Sequence, residues 1–345
     1  MTFDTVDEDR PLRGVVVGAG FIGGQWAPEL LANPATRLVG WVDVEPERAR
    51  ASAAKLGLAG LPTGPSLTSL LDGEEPDFVV NCTVPDAHYE VTVAALERGV
   101  SVLSEKPMAV SLDEARGMVA AADRARRLFM VNQNRRYMPA LVAYRRTVAD
   151  LGALGMLASE FLMPYRGADF LSTLEHPLLQ DMAIHLFDAA RAVSGADPVA
   201  VYCESFRPPW TWYPGACSAV AIFEMTGGLR YTFTGSWSAP GLPSSWTGSW
   251  RASGSRGTAL WDGEAAITVG AARGESLKPG EPEPDPHPGR RRFTGLAEGL
   301  AEFVAGLRTG SPPQGECHDN LRSLAMVTAA LESARTGSRV PVPAA

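Results

Sequence analysis

The chain has 345 residues, of which 45% are hydrophobic, and a formal net charge of −8 at pH 7. This length can bury a core large enough for two domains, whereas the acidic balance disfavours a nucleic-acid partner, because phosphate binding needs a concentrated positive face. The N-terminus has no cationic, apolar leader, and no uncharged apolar run approaches 18 residues, which predicts a cytoplasmic protein without a membrane span. The four cysteines form neither a CxxC pair nor a metal-ligand spacing, so we expect free thiols and no metal site.

Short apolar runs alternate with helical patterns through the first 132 residues. The apolar runs, which we interpret as buried strands, are 13–17, 38–43, 78–82, 101–103 and 128–131. The helical patterns lie near 22–32, 46–57, 86–98 and 111–126. Continuous apolar strands separated by helices are typical of a parallel sheet with both faces covered. Residues 1–132 are therefore predicted to form an α/β domain of the dinucleotide-binding, Rossmann type.

The pattern changes after a helix near 139–150. A helix at about 177–194 precedes a series of strands between roughly 198 and 270. A Pro-rich loop at 280–289 follows, and the chain ends with helices near 295–308 and 318–335. Residues 133–345 are predicted to form an α+β domain with a large, mostly antiparallel, open-faced sheet.

One strand of this second sheet shows strict alternation of apolar and polar side chains. Its apolar members are Tyr231, Phe233 and Trp237, and its polar members are Thr232, Thr234, Ser236 and Ser238. This pattern predicts an antiparallel strand with one buried face and one polar face. No helical pattern between 198 and 270 remains to cover the polar face, so we expect that face to be solvated or to join copies of the chain into a homodimer or homotetramer.

The sequence VVVGAGFIGG places a glycine-rich turn between a strand and a helix. Its G-x-G-x-x-G spacing lets backbone N–H groups and a helix N-terminus face a pyrophosphate. The candidate cofactor contacts in this turn are Gly18, Gly20, Phe21, Ile22 and Gly23.

An acidic residue follows this turn at the distance that a bound ribose requires. Asp43 ends the next strand, twenty residues after Gly23, where a carboxylate accepts hydrogen bonds from both ribose hydroxyls. The same carboxylate repels a 2′-phosphate and favours NAD over NADP, although Arg48 could moderate that preference. The alternative interpretation is a structural turn followed by a surface aspartate.

The sequence SVLSEKPMAV contains one of only three lysines in a chain whose positive charge is otherwise arginine. This lysine, Lys106, lies between Glu105 and Pro107 at the end of an apolar run. A lysine in a partly buried pocket can give up its proton, whereas an arginine cannot, so Lys106 is a candidate for proton-transfer chemistry. The sequence leaves open whether the Lys106–Pro107 bond is cis.

The helix near 177–194 carries Asp181, His185 and Asp188 at positions i, i+4 and i+7, which predicts that they share one face. Alone, this spacing also fits a core histidine bonded to a neighbouring carboxylate. A metal site is disfavoured because the chain has no HExxH pattern.

Taken together, these motifs resemble the Gfo/Idh/MocA oxidoreductase family, and the similarity covers nearly the whole chain. It is carried by TVPDAHYEVTVAALERGVSVLSEKPMAVSLDEA (83–115), NQNRRYMP (132–139), the helix with Asp181 and His185, and ALESARTGSRV (330–340). One departure is that Leu-Leu-Gln precedes Asp181 and Ala183 follows it, where the family often has glycines.

The resemblance implies roles for individual residues. Lys106, Asp181 and His185 would line the reacting centre. The residues that would border the ribose and nicotinamide are Thr83, Pro85, His88, Glu105 and Lys106. Substrate contacts are expected from the second domain, with Tyr165, Arg166 and His176 as candidates beside the aromatic loop that contains Trp210, Trp212 and Tyr213.

The expected function is an NAD-dependent dehydrogenase that acts on a secondary hydroxyl of a sugar, glycoside or cyclitol, with NADP possible as cofactor. One alternative is an enzyme that keeps NAD tightly bound and uses transient oxidation for epimerisation or elimination. A second alternative is a non-catalytic NAD-sensing protein on the same fold.

Overall fold

A computed structural model describes residues 2–6, 9–167, 169–284 and 295–344. By its contacts the chain divides into two compact units, Met1–Asn134 with Phe293–Leu321, and Arg135–Arg292 with Arg322–Ala345. Residues 285–289 of the predicted Pro-rich loop lie outside the described part. Among the described helices, none combines the length and the apolar character that a membrane crossing requires.

Nine α-helices are present in the described residues. They are α1 (Gly23–Ala32), α2 (Pro46–Lys55), α3 (Leu67–Leu71), α4 (Pro85–Glu97), α5 (Leu112–Ala125), α6 (Pro139–Ala149), α7 (Ala183–Ser194), α8 (Leu296–Thr309) and α9 (Cys317–Thr336). Three of them, α2, α4 and α6, begin with proline, whose fixed φ and missing N–H suit the first helical position. Two others begin after serines whose hydroxyls cap a main-chain N–H, Ser66 before α3 and Ser111 before α5.

The first unit contains a six-stranded parallel sheet. Its strands are β1 (Leu12–Val17), β2 (Thr36–Val42), β3 (Thr63–Gly64), β4 (Phe78–Asn81), β5 (Ser101–Ser104) and β6 (Phe129–Val131), in the order β3-β2-β1-β4-β5-β6. This is the doubly wound order of a dinucleotide-binding fold, in which the strand order reverses between β1 and β4. The predicted parallel sheet is confirmed.

Two elements and one segment of the first unit differ from the prediction. The two-residue β3 and the five-residue α3 are too short to leave a periodic pattern, although Leu67 and Leu70 of α3 are buried. Helix α8 belongs to the first unit. The prediction from the sequence had a single boundary, after residue 132, and placed this helix in the second domain. The reason is packing, because Phe303 of α8 meets Phe78 of β4 edge to face at 5.5 Å.

The second unit contains an eight-stranded sheet that is mostly antiparallel. Its strands are β7 (Leu154–Leu162), β8 (Pro198–Phe206), β9 (Ser218–Met225), β10 (Arg230–Ser236), β11 (Ser249–Gly254), β12 (Gly257–Trp261), β13 (Ile267–Ala271) and β14 (Val340–Pro341), in the order β13-β12-β11-β7-β10-β9-β8-β14. Neighbouring strands are antiparallel except β10 and β7, which pair in parallel. The predicted fold class is confirmed.

The alternating strand predicted over 231–238 is correct only in its first half. Tyr231 and Phe233 are buried and Thr234 is exposed, as expected. However, β10 ends at Ser236, and both Ser236 and Ser238 are buried with their hydroxyls bonded to Ser218 and Cys217, respectively. The prediction that Ser236 and Ser238 continue the polar face was therefore wrong. Serines whose hydroxyls are hydrogen-bonded can be buried.

The two faces of this second sheet differ in what covers them. Phe187 of α7 packs against Phe223 and Phe233, and residues of α6 and α9 complete the same core. On the other face, the register aligns Tyr202, Ile222 and Thr232 in one row across β8, β9 and β10. Tyr202 and Ile222 are 46% and 47% exposed, so this face presents large apolar side chains to solvent.

Candidate active site

The glycine turn after β1 has the close approach of backbone that its spacing predicts. Gly18 has a φ of +99°, and a Cβ there would lie 2.6 Å from the carbonyl oxygen of Cys82. At Gly23 a Cβ would lie 2.0 Å from the carbonyl oxygen of Gly18, so α1 can begin close to the turn only with glycine. Among the described residues, no neighbouring atom lies within 4 Å of a Cβ built at Gly20, which leaves its main chain open to a phosphate. These residues fit a bound dinucleotide.

Asp43 is fixed beside this turn. Its carboxylate is buried, with Oδ2 accepting a hydrogen bond from the Ala19 N–H at 2.7 Å and Oδ1 from the Glu45 N–H at 2.9 Å. Arg48 lies 3.6 Å from the same carboxylate, as a partly exposed cation. The predicted acid therefore lies at the carboxyl end of β2 and is held directly against the glycine turn.

The loop after β4 holds the next group of predicted cofactor residues. Asn81 Oδ1 accepts hydrogen bonds from the Thr83 hydroxyl at 2.7 Å and from the Thr83 N–H at 3.2 Å, and Pro85 begins α4. His88 is 1% exposed, and its ring nitrogens lie 2.7 Å from the Pro107 carbonyl oxygen and 3.2 Å from that of Thr83. Burial lowers the pKa of His88, and the two neighbouring carbonyl oxygens oppose that shift. His88 connects two loops, and its contact with cofactor stays a prediction.

Lys106 lies at the carboxyl end of β5 and is half-buried. Its bond to Pro107 is cis. The preceding Glu105 carboxylate accepts hydrogen bonds from the Trp26 indole N–H at 2.8 Å through Oε1 and from the Lys106 main-chain N–H at 3.3 Å through Oε2. The Asn132 amide reaches Oε1 at 3.5 Å. Burial and the charge of Glu105 raise the pKa of the Cys82 thiol, which stays protonated beside this loop.

Sequence reasoning missed Trp26 and Asn132. Trp26 follows Gly23 by three residues, which is a signal for the buried face of α1, and its ring is fully buried. Nothing in that spacing indicates that the indole reaches a carboxylate 79 positions away.

In the second unit the catalytic candidates lie at a junction between two kinds of helix. Residues Leu178–Met182 form a π-helical turn, and α7 continues from Ala183. Asp181 lies in the π turn and His185 in α7, and both side chains are half-buried. Single π turns of this kind often mark functional positions in helices.

Asp188 does not resemble the other two acid and base candidates. It is buried and forms a bidentate ion pair with Arg136 at 2.6 and 2.7 Å, and the Ser323 hydroxyl donates to it at 2.7 Å. The i, i+4, i+7 spacing therefore includes two half-buried candidates, Asp181 and His185, and one buried carboxylate, Asp188, that stabilises the fold.

The substrate-side candidates Tyr165 and Arg166 belong to an aromatic cluster. The Tyr165 carbonyl oxygen accepts hydrogen bonds from the Tyr213 hydroxyl at 2.8 Å and the Trp212 indole at 3.2 Å, and the Arg166 guanidinium lies 4.2 Å above the Trp212 ring. Burial raises the pKa of Tyr213, and the negative charge of Asp181 adds a smaller rise. Asp181 is therefore close enough to act electrostatically on this cluster. His176 instead bonds the Ser205 hydroxyl at 3.0 Å.

A group of possible metal ligands was not expected from the sequence. Side-chain atoms of Glu316, Cys317 and His318 lie within 4.8 Å of one another at the start of α9. The thiol and the imidazole both bond Glu316 Oε1, at 2.9 and 2.8 Å, and the other ring nitrogen lies 3.3 Å from Asp123. Burial opposes the charged form of His318, but the bond to Glu316 and the charges of Glu316 and Asp123 outweigh it and raise the pKa of His318. Glu316 Oε2 also accepts the His318 main-chain N–H at 3.1 Å, so this carboxylate caps the start of α9.

Known protein families match both units of the chain. Residues 12–133 match the model of an oxidoreductase family with an NAD-binding Rossmann fold, and residues 149–260 match that of the GFO/IDH/MocA C-terminal domain. The chain belongs to the GFO/IDH/MocA oxidoreductase family. Its first unit is thus an NAD-binding domain, and the chain is an NAD-dependent oxidoreductase of this family.

Similar proteins cover the chain almost completely. D-apiose dehydrogenase of Paraburkholderia graminis is 26% identical over 96% of this chain and 90% of its own length. Inositol 2-dehydrogenase of Rhizobium meliloti is 24% identical over 92% and 95%. A solved oxidoreductase from Agrobacterium radiobacter, in complex with NAD+, L-tartaric acid and magnesium, superimposes with a TM-score of 0.86 at 20% identity, covering 96% of this chain and 98% of that one. The last likeness shows the shared fold.

Proposed function

We propose that this chain oxidises a secondary hydroxyl of a sugar, glycoside or cyclitol, or catalyses the reverse reduction. The observation that carries the proposal is the position of Lys106 at the carboxyl edge of the first sheet. Gly18 after β1 lies against Cys82 after β4, and Glu105 and Lys106 follow β5. Ligands of open parallel sheets bind outside the carboxyl ends of the strands, where the strand order reverses. The names of the apiose and inositol dehydrogenases support the substrate class.

The proposed roles follow from the chemistry of the side chains. His185 accepts the hydroxyl proton as general base, because an imidazole ordinarily titrates near neutral pH. Asp181 orients His185 or bonds a substrate hydroxyl. Lys106 donates a hydrogen bond from its ammonium to the reacting oxygen. When bound, NAD supplies the hydride acceptor.

Specificity is assigned to the second unit. Tyr165, Arg166 and His176 are the proposed substrate contacts. The guanidinium of Arg166 over the Trp212 ring offers in-plane donors above an apolar surface, an arrangement that suits a ring bearing several hydroxyls. The proposed division of labour is NAD binding by residues 1–132 and substrate binding and oligomerisation by residues 133–345, except that α8 belongs to the first unit.

The test is an assay of the purified protein with NAD+ and a panel of D-apiose, myo-inositol and methyl glucosides, followed by NADH absorbance. Net NADH from at least one compound is expected. Conversion without net NADH would replace the proposal by epimerisation or elimination on tightly bound NAD. In the His185→Ala variant, we expect the acidic limb of the pH–rate profile to change, and an unchanged limb would remove His185 from proton transfer.

We further propose that the chain is a cytoplasmic homodimer or homotetramer joined through the open face of the second sheet. Exposed Tyr202, Ile222 and Met156 on that face support the proposal, since monomers rarely expose many large apolar side chains together. Light scattering should give a mass of at least twice 36.7 kDa. A monomer at micromolar concentration would contradict it.

A further inference from the structure

Lys106 belongs to a loop that is tied down on both sides by buried side chains of the first unit. Upstream, Glu105 receives the Trp26 indole N–H at 2.8 Å. Downstream, the Pro107 carbonyl accepts a hydrogen bond from His88 at 2.7 Å. The segment Glu105–Pro107 is therefore fixed by side chains from two different helices, α1 and α4.

The upstream tie reaches the main chain of Lys106 itself. The indole bonds Oε1 of Glu105, while Oε2 of the same carboxylate accepts the Lys106 main-chain N–H at 3.3 Å. A carboxylate is planar, so fixing one oxygen fixes the direction of the other. Trp26 has no exposed surface, and its ring cannot turn away from this contact without opening the core.

We propose that Trp26 is a positioning residue for the reaction: its indole N–H orients the Glu105 carboxylate, which in turn sets the main chain of Lys106. This inference rests on the proposed role of Lys106. It also links that lysine to the dinucleotide turn, because Trp26 lies in α1, the helix that begins at Gly23 directly after the turn. A small displacement of a reacting group can lower a rate by orders of magnitude, so a positioning contact of this kind has a measurable effect.

The first experiment compares Trp26→Phe with Trp261→Phe. Both remove a buried indole N–H and keep an aromatic ring, but the Trp261 indole donates to the Glu264 carbonyl in the second unit. On the panel substrate with the highest rate, Trp26→Phe should lower kcat about tenfold or more while the Kd for NAD changes little. Trp261→Phe should change stability without changing kcat. Equal effects of the two variants on kcat would overturn the proposal.

A double-variant cycle separates positioning from a packing effect. If Trp26 acts through Glu105, Trp26→Phe should have little further effect on kcat in a Glu105→Ala background, which offers no acceptor to the indole N–H. The same fold-change in both backgrounds would show that Trp26 acts by another route. If Lys106→Ala keeps its full rate, the proposed function of the site fails instead, and the two failures are thereby distinguished.

A crystal structure of Trp26→Phe tests the contact without any turnover. We expect the Glu105 carboxylate to rotate and its distance to the Lys106 main-chain nitrogen to exceed hydrogen-bonding range. An unchanged carboxylate and an unchanged Lys106 main chain would contradict the proposal.

Discussion

The two units hold their candidate site residues in different ways. In the first unit, Asp43, Thr83 and Pro107 are held by hydrogen bonds that involve main-chain groups at the ends of parallel strands. In the second unit, Tyr165 packs against the rings of Trp237 and Trp246, with centroid distances of 5.2 and 5.5 Å. The sheet fixes the main chain at the ends of its strands, so few substitutions are tolerated there. Aromatic packing, in contrast, can be formed by different combinations of residues. The first arrangement suits a constant cofactor and the second suits a variable substrate.

The largest effect is expected in the first unit, where replacing Lys106 should lower turnover much more than NAD affinity. Lys106→Ala should reduce turnover by about 10³-fold or more, because it removes the ammonium that is proposed to bond the reacting oxygen, while NAD affinity stays within about tenfold. Steady-state kinetics and NAD titration measure the two quantities. Lys278→Ala, at an exposed lysine, is the matched control and should behave as wild type. A near-normal kcat in Lys106→Ala would remove Lys106 from the mechanism.

The next prediction concerns the second unit and tests whether Asp188 of α7 stabilises the fold. Asp188→Asn should lower the free energy of unfolding by about 3–5 kcal/mol, because the variant breaks a buried ion pair with Arg136 by removing the carboxylate charge. Asp197→Asn breaks a partly exposed pair with Arg191 and should cost no more than about 1 kcal/mol. Urea unfolding of both variants gives the comparison. Similar small losses would mean that Asp188 is not the structural carboxylate of this helix.

A smaller effect is expected from the acid beside the glycine turn. Asp43→Ser removes both the proposed ribose acceptor and its negative charge, so the ratio of kcat/KM for NAD to that for NADP should fall by about tenfold or more. Asp72→Ser, at an exposed acid of the same unit, should leave the ratio unchanged. An unchanged ratio in Asp43→Ser would place the ribose elsewhere.

The smallest effect concerns pH and the cap of α9. The pKa of His318 is raised in the folded protein, so its contribution to stability is full below the ordinary histidine value of about 6.5 and is lost as the pH rises through the folded value. His318→Gln removes this dependence. The difference in Tm between wild type and variant should therefore be larger at pH 6 than at pH 8. The same difference at both pH values would show that the imidazole does not charge against Glu316 and Asp123.

The sequence predicted the first unit better than the second because its signals are local. The glycine spacing, Asp43 at a strand end and the Glu105–Pro107 run each lie within a few residues of the structure that they specify. The strands and longer helices also agree to within a few residues, since their periodic patterns are long enough to recognise.

What the sequence missed depends on contacts between distant positions. The parallel pairing of β10 with β7, the bond from Trp26 to Glu105 and the association of α8 with the first sheet all join residues far apart in the chain. The pattern 181, 185, 188 was equally ambiguous, because the burial of Asp188 and its bonds to Arg136 and Ser323 depend on positions far away in the chain.

The most direct test of the account is a crystal structure of the protein with NAD. We expect the pyrophosphate at the Gly18–Gly23 turn, the adenosine ribose at Asp43 and the nicotinamide beside Lys106. NAD bound with its nicotinamide away from Lys106, or with its pyrophosphate away from the glycine turn, would contradict the proposed active site.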